Sequence, residues 1–139
     1  MITQKEAEDL IAKAKIAIRN EVFSWAANTR YDESVVALGD DNLQFVLSLS
    51  QNPFEIKAHF RTKKQNIQLA RIDNHKQHIN PDGKRIVGPH LHWYKEGYMH
   101  LEWAEEIDWY DTNKLLETIY KFLDLIQTKF PKGIQGTLI

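Results

Sequence analysis

Leu43-Gln-Phe45-Val-Leu47-Ser-Leu49, then Asn52-Pro53, then Ile56-Lys-Ala58-His-Phe60-Arg61, is the stretch on which the reading of this chain turns. Residues 43, 45, 47 and 49 are apolar and interleave with Gln44, Val46 and Ser48, the period of a half-buried strand. Ile56, Ala58 and Phe60 interleave in the same way with Lys57, His59 and Arg61. Asn52-Pro53 is a turn signal. The two runs therefore predict an antiparallel pair.

Working outward, Arg61-Thr-Lys-Lys64 reads as a basic turn and Ile67 to Asp73 as a third strand. Asn80-Pro-Asp-Gly83 is a turn, since proline sets its first angle and glycine accepts positive φ. Arg85 to Tyr94 reads as a fourth strand, and Tyr98–Trp103 as a short fifth beyond Gly97. Upstream, Thr3 and Glu6 fit a capping box. Ala7, Leu10, Ile11, Ala14, Ile18, Val22 and Trp25 then keep a helical period. Residues 28–42 read as a connector with a short strand near Ser34–Leu38. Downstream, Asp111 or Thr112 caps a helix with an apolar stripe from Leu115 to Phe130, which Pro131 ends. The tail Gly133–Ile139 shows no pattern. The expected fold is α+β: an N-terminal helix, a four- to five-stranded antiparallel sheet and a C-terminal helix, in one domain over residues 1–139.

Bulk composition narrows the function classes. Without cysteine there is no disulfide and no thiolate metal site. A net charge of −1 gives no global field toward nucleic acid, so any such contact needs a local basic patch. No apolar run approaches the roughly 20 residues of a membrane span. The acidic, polar N-terminus lacks signal-peptide features. These features point to a cytoplasmic protein with no membrane partner. Trp25, Trp93, Trp103 and Trp109 read as core and rim packing.

His75, His78, His90 and His92 fall within eighteen residues, and imidazole both titrates near neutrality and binds metals. Alternation puts His90, His92 and Tyr94 on one face of the fourth strand, and Arg71 with Asp73 on one face of the third. If those strands pair, the two polar rows become neighbours. Any single histidine is most simply a solvated side chain, but the group together favours a site. Two chemistries fit. His90 and His92, joined by Asp73 and with His78 as a further candidate, can ligate a divalent metal such as zinc, manganese or iron. Alternatively, Arg71, Asp73, His78, His90, His92 and Tyr94 can cleave a phosphodiester without metal, by acid–base catalysis with a cation on the phosphate. Arg61, Lys63 and Lys64 form a basic patch suited to nucleic acid. His59 and His100 receive no role.

The run Leu69-Ala-Arg71-Ile-Asp73, His78-Ile-Asn-Pro-Asp-Gly83 and Gly88-Pro-His-Leu-His92-Trp-Tyr94-Lys-Glu-Gly97 resembles an uncharacterised family of small bacterial and phage-associated proteins over roughly residues 43–104. More loosely, Arg71-Ile-Asp73-Asn74, His78 and Pro89-His90-Leu-His92 resemble the TumE-type toxins of toxin–antitoxin pairs. That resemblance implies a toxin-like nuclease acting on RNA, with a cognate antitoxin. The residues alone leave open a non-catalytic inhibitor or immunity-type protein of a phage or mobile element, with a protein target. They also leave open a domain that a metal merely stabilises.

Overall fold

The structure, a computed structural model, describes residues 1–74 and 77–137. β4 (Asp40–Asn52) and β5 (Glu55–Thr62) form the predicted antiparallel pair, with Leu47 opposite Phe60 and Leu49 opposite Ala58. β6 (Gln68–Asp73) follows on one side, then β9 (His90–Trp93) and the edge strand β10 (Ala104–Glu106). On the other side lie β3 (Tyr31–Ala37), β1 (Lys15–Ala17) and β11 (Thr128–Lys129). This makes an eight-stranded sheet, antiparallel except where β1 meets β11. Two ribbons flank it: β7 (Gln77–Ile79) with β8 (Arg85–Val87), and the parallel pair β2 (Phe23–Ala26) with β12 (Ile134–Thr137). The helices are α1 (Gln4–Ala12) and α2 (Leu115–Leu125). No helix among the described residues is long and apolar enough to cross a membrane.

The expected four- to five-stranded antiparallel α+β fold is therefore corrected. The described residues are mostly β, with a large mixed sheet and two helices. The difference arises in particular segments. The capping box at Thr3 and Glu6 does start α1, but the helix stops at Ala12. Beyond it, Lys15-Ile16-Ala17 pairs with β3 on one side and β11 on the other, so two sheet partners outweigh the helical period. The stripe positions Ile18 and Val22 are 53% and 43% exposed, as a broken stripe should be. The connector is largely strand, because β3 runs through its middle and β4 begins within it at Asp40, with Val35 and Ala37 buried. The single fourth strand divides at Gly88, whose φ of +81° suits glycine and turns β8 away from β9. Residues 98–103 form no strand, and β10 takes the edge after them. Phe130 lies beyond α2, past a turn with Gln127 at φ +52°.

The sheet has two unlike faces. Val35, Phe45, Leu47, Leu49, Ala58, Phe60, Ile72 and Leu91 pack into one core with Ala7 of α1, with Ile119, Phe122 and Leu123 of α2, and with Phe23 and Trp25. Lys15 is sealed inside it at 1% exposure. Its Nζ donates to Ile11 O at 2.8 Å, Lys13 O at 2.7 Å and Ile126 O at 2.8 Å. The ammonium also lies 5.4 and 5.3 Å from the ring centres of Phe45 and Phe60. It thus joins the ends of both helices to the sheet.

Burial and the neighbouring Lys13 push the Lys15 ammonium down to about 7. Between that value and its ordinary one, the folded chain holds fewer protons than the unfolded chain, so stability rises with pH across this window. The melting temperature should climb from pH ~7 to pH ~9.5 in the native chain and stay flat in Lys15→Met. Equal slopes in the two proteins would remove Lys15 as the cause.

Candidate functional site

On the face opposite the core, the strands bring polar residues into rows. Asp32 stands opposite Ser48, Ser48 opposite His59, His59 opposite Arg71, and Arg71 opposite His92, across β3, β4, β5, β6 and β9. One step along, Ser50 faces Lys57 and Asp73 faces His90. A groove of about 480 Å³ lies over these rows, lined among others by Arg30, Ser48, Lys57, His59, Arg71 and Asp73. Arg61 reaches toward it, with Nη1 donating to Ser48 Oγ at 2.7 Å, and Ser48 Oγ donates to Asp32 Oδ1 at 2.5 Å.

Asp73 joins the groove to the histidines. Its Oδ1 is 2.9 Å from His90 Nε2, and its Oδ2 is 3.4 Å from His92 Nε2 and 3.3 Å from Arg71 Nε. The far side of each imidazole is held by the main chain. His90 Nδ1 donates to Gly88 O at 2.8 Å, and His92 Nδ1 donates to Leu101 O at 2.6 Å. His78, on the β7–β8 ribbon, donates from Nε2 to Glu102 O at 2.7 Å. The three rings touch, with centroids 4.7 to 5.4 Å apart. One ring nitrogen from each of His78, His90 and His92 lies within 4.8 Å of the others.

This environment treats the two buried histidines differently. Burial lowers the His90 pKa, but the hydrogen bonds to Asp73 and Gly88 O outweigh it and the pKa is raised. At His92 burial prevails and the pKa is lowered; Arg71 beside it adds to that effect, and Asp73 opposes it only in part. Arg71 Nη2 lies 3.3 Å from His92 Nε2 and can donate to it, which fits a neutral ring protonated on Nδ1. One imidazole thus favours the cation and its neighbour the neutral form, the division of labour expected of an acid and a base.

The structure gathers Arg71, Asp73, His78, His90 and His92 in one cluster and leaves other expected residues outside it. Tyr94 is buried, and its hydroxyl donates to Ile2 O, fastening the N-terminal segment. Lys63 and Lys64 border a separate recess with Asn42 and Gln44. Asn80-Pro-Asp-Gly83 is a turn, and the Asn80 amide exchanges 2.9 Å hydrogen bonds with the Ala104 main chain, holding the ribbon against β10. His75 lies outside the described residues. His59, which the sequence left without a role, lines the groove. Its Nε2 is buried without a hydrogen-bond partner among the described residues, and burial, with Arg61 and Arg71 nearby, pushes its pKa down to about 4. A signal for it existed: Lys57-x-His59-x-Arg61 has the same alternation as Arg71-x-Asp73 and His90-x-His92. Arg30 carried no such signal.

Replacing Asp73 by Asn keeps the shape but removes the charge. We expect a loss of about 1.5–3 kcal/mol in urea unfolding, and a His90 titration moved to lower pH in NMR. An unchanged His90 titration would show that Asp73 does not hold its proton.

No curated protein matches the chain. No solved structure matches it either. A family profile matches residues 2–128, and the chain belongs to that family, described as a family of unknown function (DUF6978).

Proposed function

We propose that this chain is a toxin-like nuclease that holds the phosphate backbone of RNA in the groove and cleaves it. The observation that carries the reading is the convergence of Arg30, Lys57 and Arg71 on one groove that ends at Asp73, itself in contact with His90 and His92. Cations along a groove suit a backbone of phosphates. Arg71 can hold the reacting phosphate and stabilise charge that develops on it. His90 serves as acid and His92 as base. The resemblance to TumE-type toxins at Arg71-Ile-Asp73-Asn74, His78 and Pro89-His90-Leu-His92 supports the same chemistry. In that role the chain works in the cytoplasm, beside a cognate antitoxin.

One observation favours a second reading. His90 and His92 are each 1% exposed, and a general acid or base must come within hydrogen-bond reach of its substrate. A groove that binds without cleaving, as in an inhibitor or immunity-type protein of a phage or mobile element, needs no such access.

Binding and cleavage of single-stranded RNA are measured for the native chain, Arg71→Gln, Lys57→Gln and His90→Ala/His92→Ala. Each groove substitution should weaken binding and lower the salt slope by about 0.7. The double histidine variant should bind and fail to cleave. Binding without cleavage by the native chain would overturn the nuclease reading. Absence of RNA binding at low salt would contradict both binding and cleavage of RNA.

A further inference from the structure

We infer that His78, His90 and His92 form a site for one divalent transition-metal ion of the zinc type. The argument rests on how the rings are held. A carbonyl oxygen only accepts, so the ring nitrogen facing it carries the hydrogen. Gly88 O, Leu101 O and Glu102 O occupy Nδ1 of His90, Nδ1 of His92 and Nε2 of His78. His92 Nε2 and His78 Nδ1 are then left as lone pairs in the neutral rings, and His90 Nε2 becomes a third once the proton it shares with Asp73 leaves. A carbonyl on the outer N–H of each imidazole is how metal-bound histidines are oriented. Three such rings converge here, with one nitrogen of each within 4.8 Å of the others.

The scaffold supports this reading. His90 and His92 are fixed on β9, and His78 is brought over them by a ribbon that Asn80 clasps to Ala104. An all-imidazole set suits zinc, cobalt, nickel or copper better than calcium or magnesium, which take oxygen ligands. Zinc sits ~2.0–2.1 Å from imidazole nitrogen, so binding draws the rings inward. The ion would displace the proton between Asp73 and His90, leaving that carboxylate beside it as counter-charge or fourth ligand. Of the ligands expected from the sequence, His78 thus supplies the third nitrogen and Asp73 stands beside the three rings. A metal on His90 Nε2 and His92 Nε2 takes the nitrogens that the acid–base reading gives to proton transfer, so one state of the protein serves one or the other, and metal content, measured without a substrate, decides this inference on its own.

The test uses the full untagged chain, loaded with zinc, desalted and assayed by elemental analysis and chelator competition. Loss of outer contacts alone costs 10–100-fold in metal affinity, so His78→Gln should bind zinc about a hundredfold more weakly or worse. His100→Gln, outside the cluster, should retain one equivalent. Chelation should lower the melting temperature of the native chain and not that of His78→Gln. Cobalt(II) in the native chain provides a readout that needs no variant: strong visible bands of a four-coordinate ion are expected. Zinc well below one equivalent in the native chain would overturn the inference. So would equal retention by a folded His78→Gln, or the weak bands of a water-rich octahedral cobalt.

Discussion

A carboxylate with 6% of its side chain exposed must find partners or lose its charge, and the polar face is arranged around that demand at Asp73. β6 presents Asp73 beside Arg71, and β9 presents His90 and His92 opposite the pair. Three side chains from two strands thus meet two oxygens. Because a strand alternates strictly, a one-residue slip of β9 against β6 would turn both histidines into the core and Leu91 toward the carboxylate. Asp73 and the apolar residues on the other face therefore specify the same register. Lys15 plays a comparable part at the opposite side of the fold, where a buried cation gathers main-chain carbonyls from the ends of both helices.

The middle of the sheet was legible because its signal is purely local. Phe45, Leu47 and Leu49 against Ala58 and Phe60 need only a period of two. The ends were not legible. Ala7, Leu10 and Ile11 fit one helical face, and Ala14, Ile18 and Val22 continue it by coincidence of spacing. What ends the helix is the pairing of Lys15–Ala17 with β3 and with β11, whose partners lie far along the chain. No window of sequence contains that pairing. The same holds for β12, which forms beside β2 from a tail without pattern.

The candidate site was legible to the extent that alternation could reach. His90 and His92 on one face, with Arg71 and Asp73 on the face beside them, follow from spacing alone. Tyr94 illustrates the limit: β9 ends at Trp93, and the tyrosine leaves the row to seal the core and hold Ile2. Lys63 and Lys64 are close to Arg61 in sequence, yet they follow β5 into a turn and border another recess. His59 is the opposite case. It looked dispensable alone and acquires its setting only when β4 and β6 place Ser48 and Arg71 on either side of it.

The claim at the centre of this account is that main-chain carbonyls and Asp73 fix the protonation of each imidazole. Nitrogen-15 NMR of the ring nitrogens, on the labelled metal-free chain at mildly acidic pH, reads it directly. The account predicts His92 protonated on Nδ1 alone and His90 on both nitrogens, with the His78 nitrogen that faces Glu102 O always carrying a hydrogen. A proton on His92 Nε2, or rapid averaging over both nitrogens of all three rings, would contradict it.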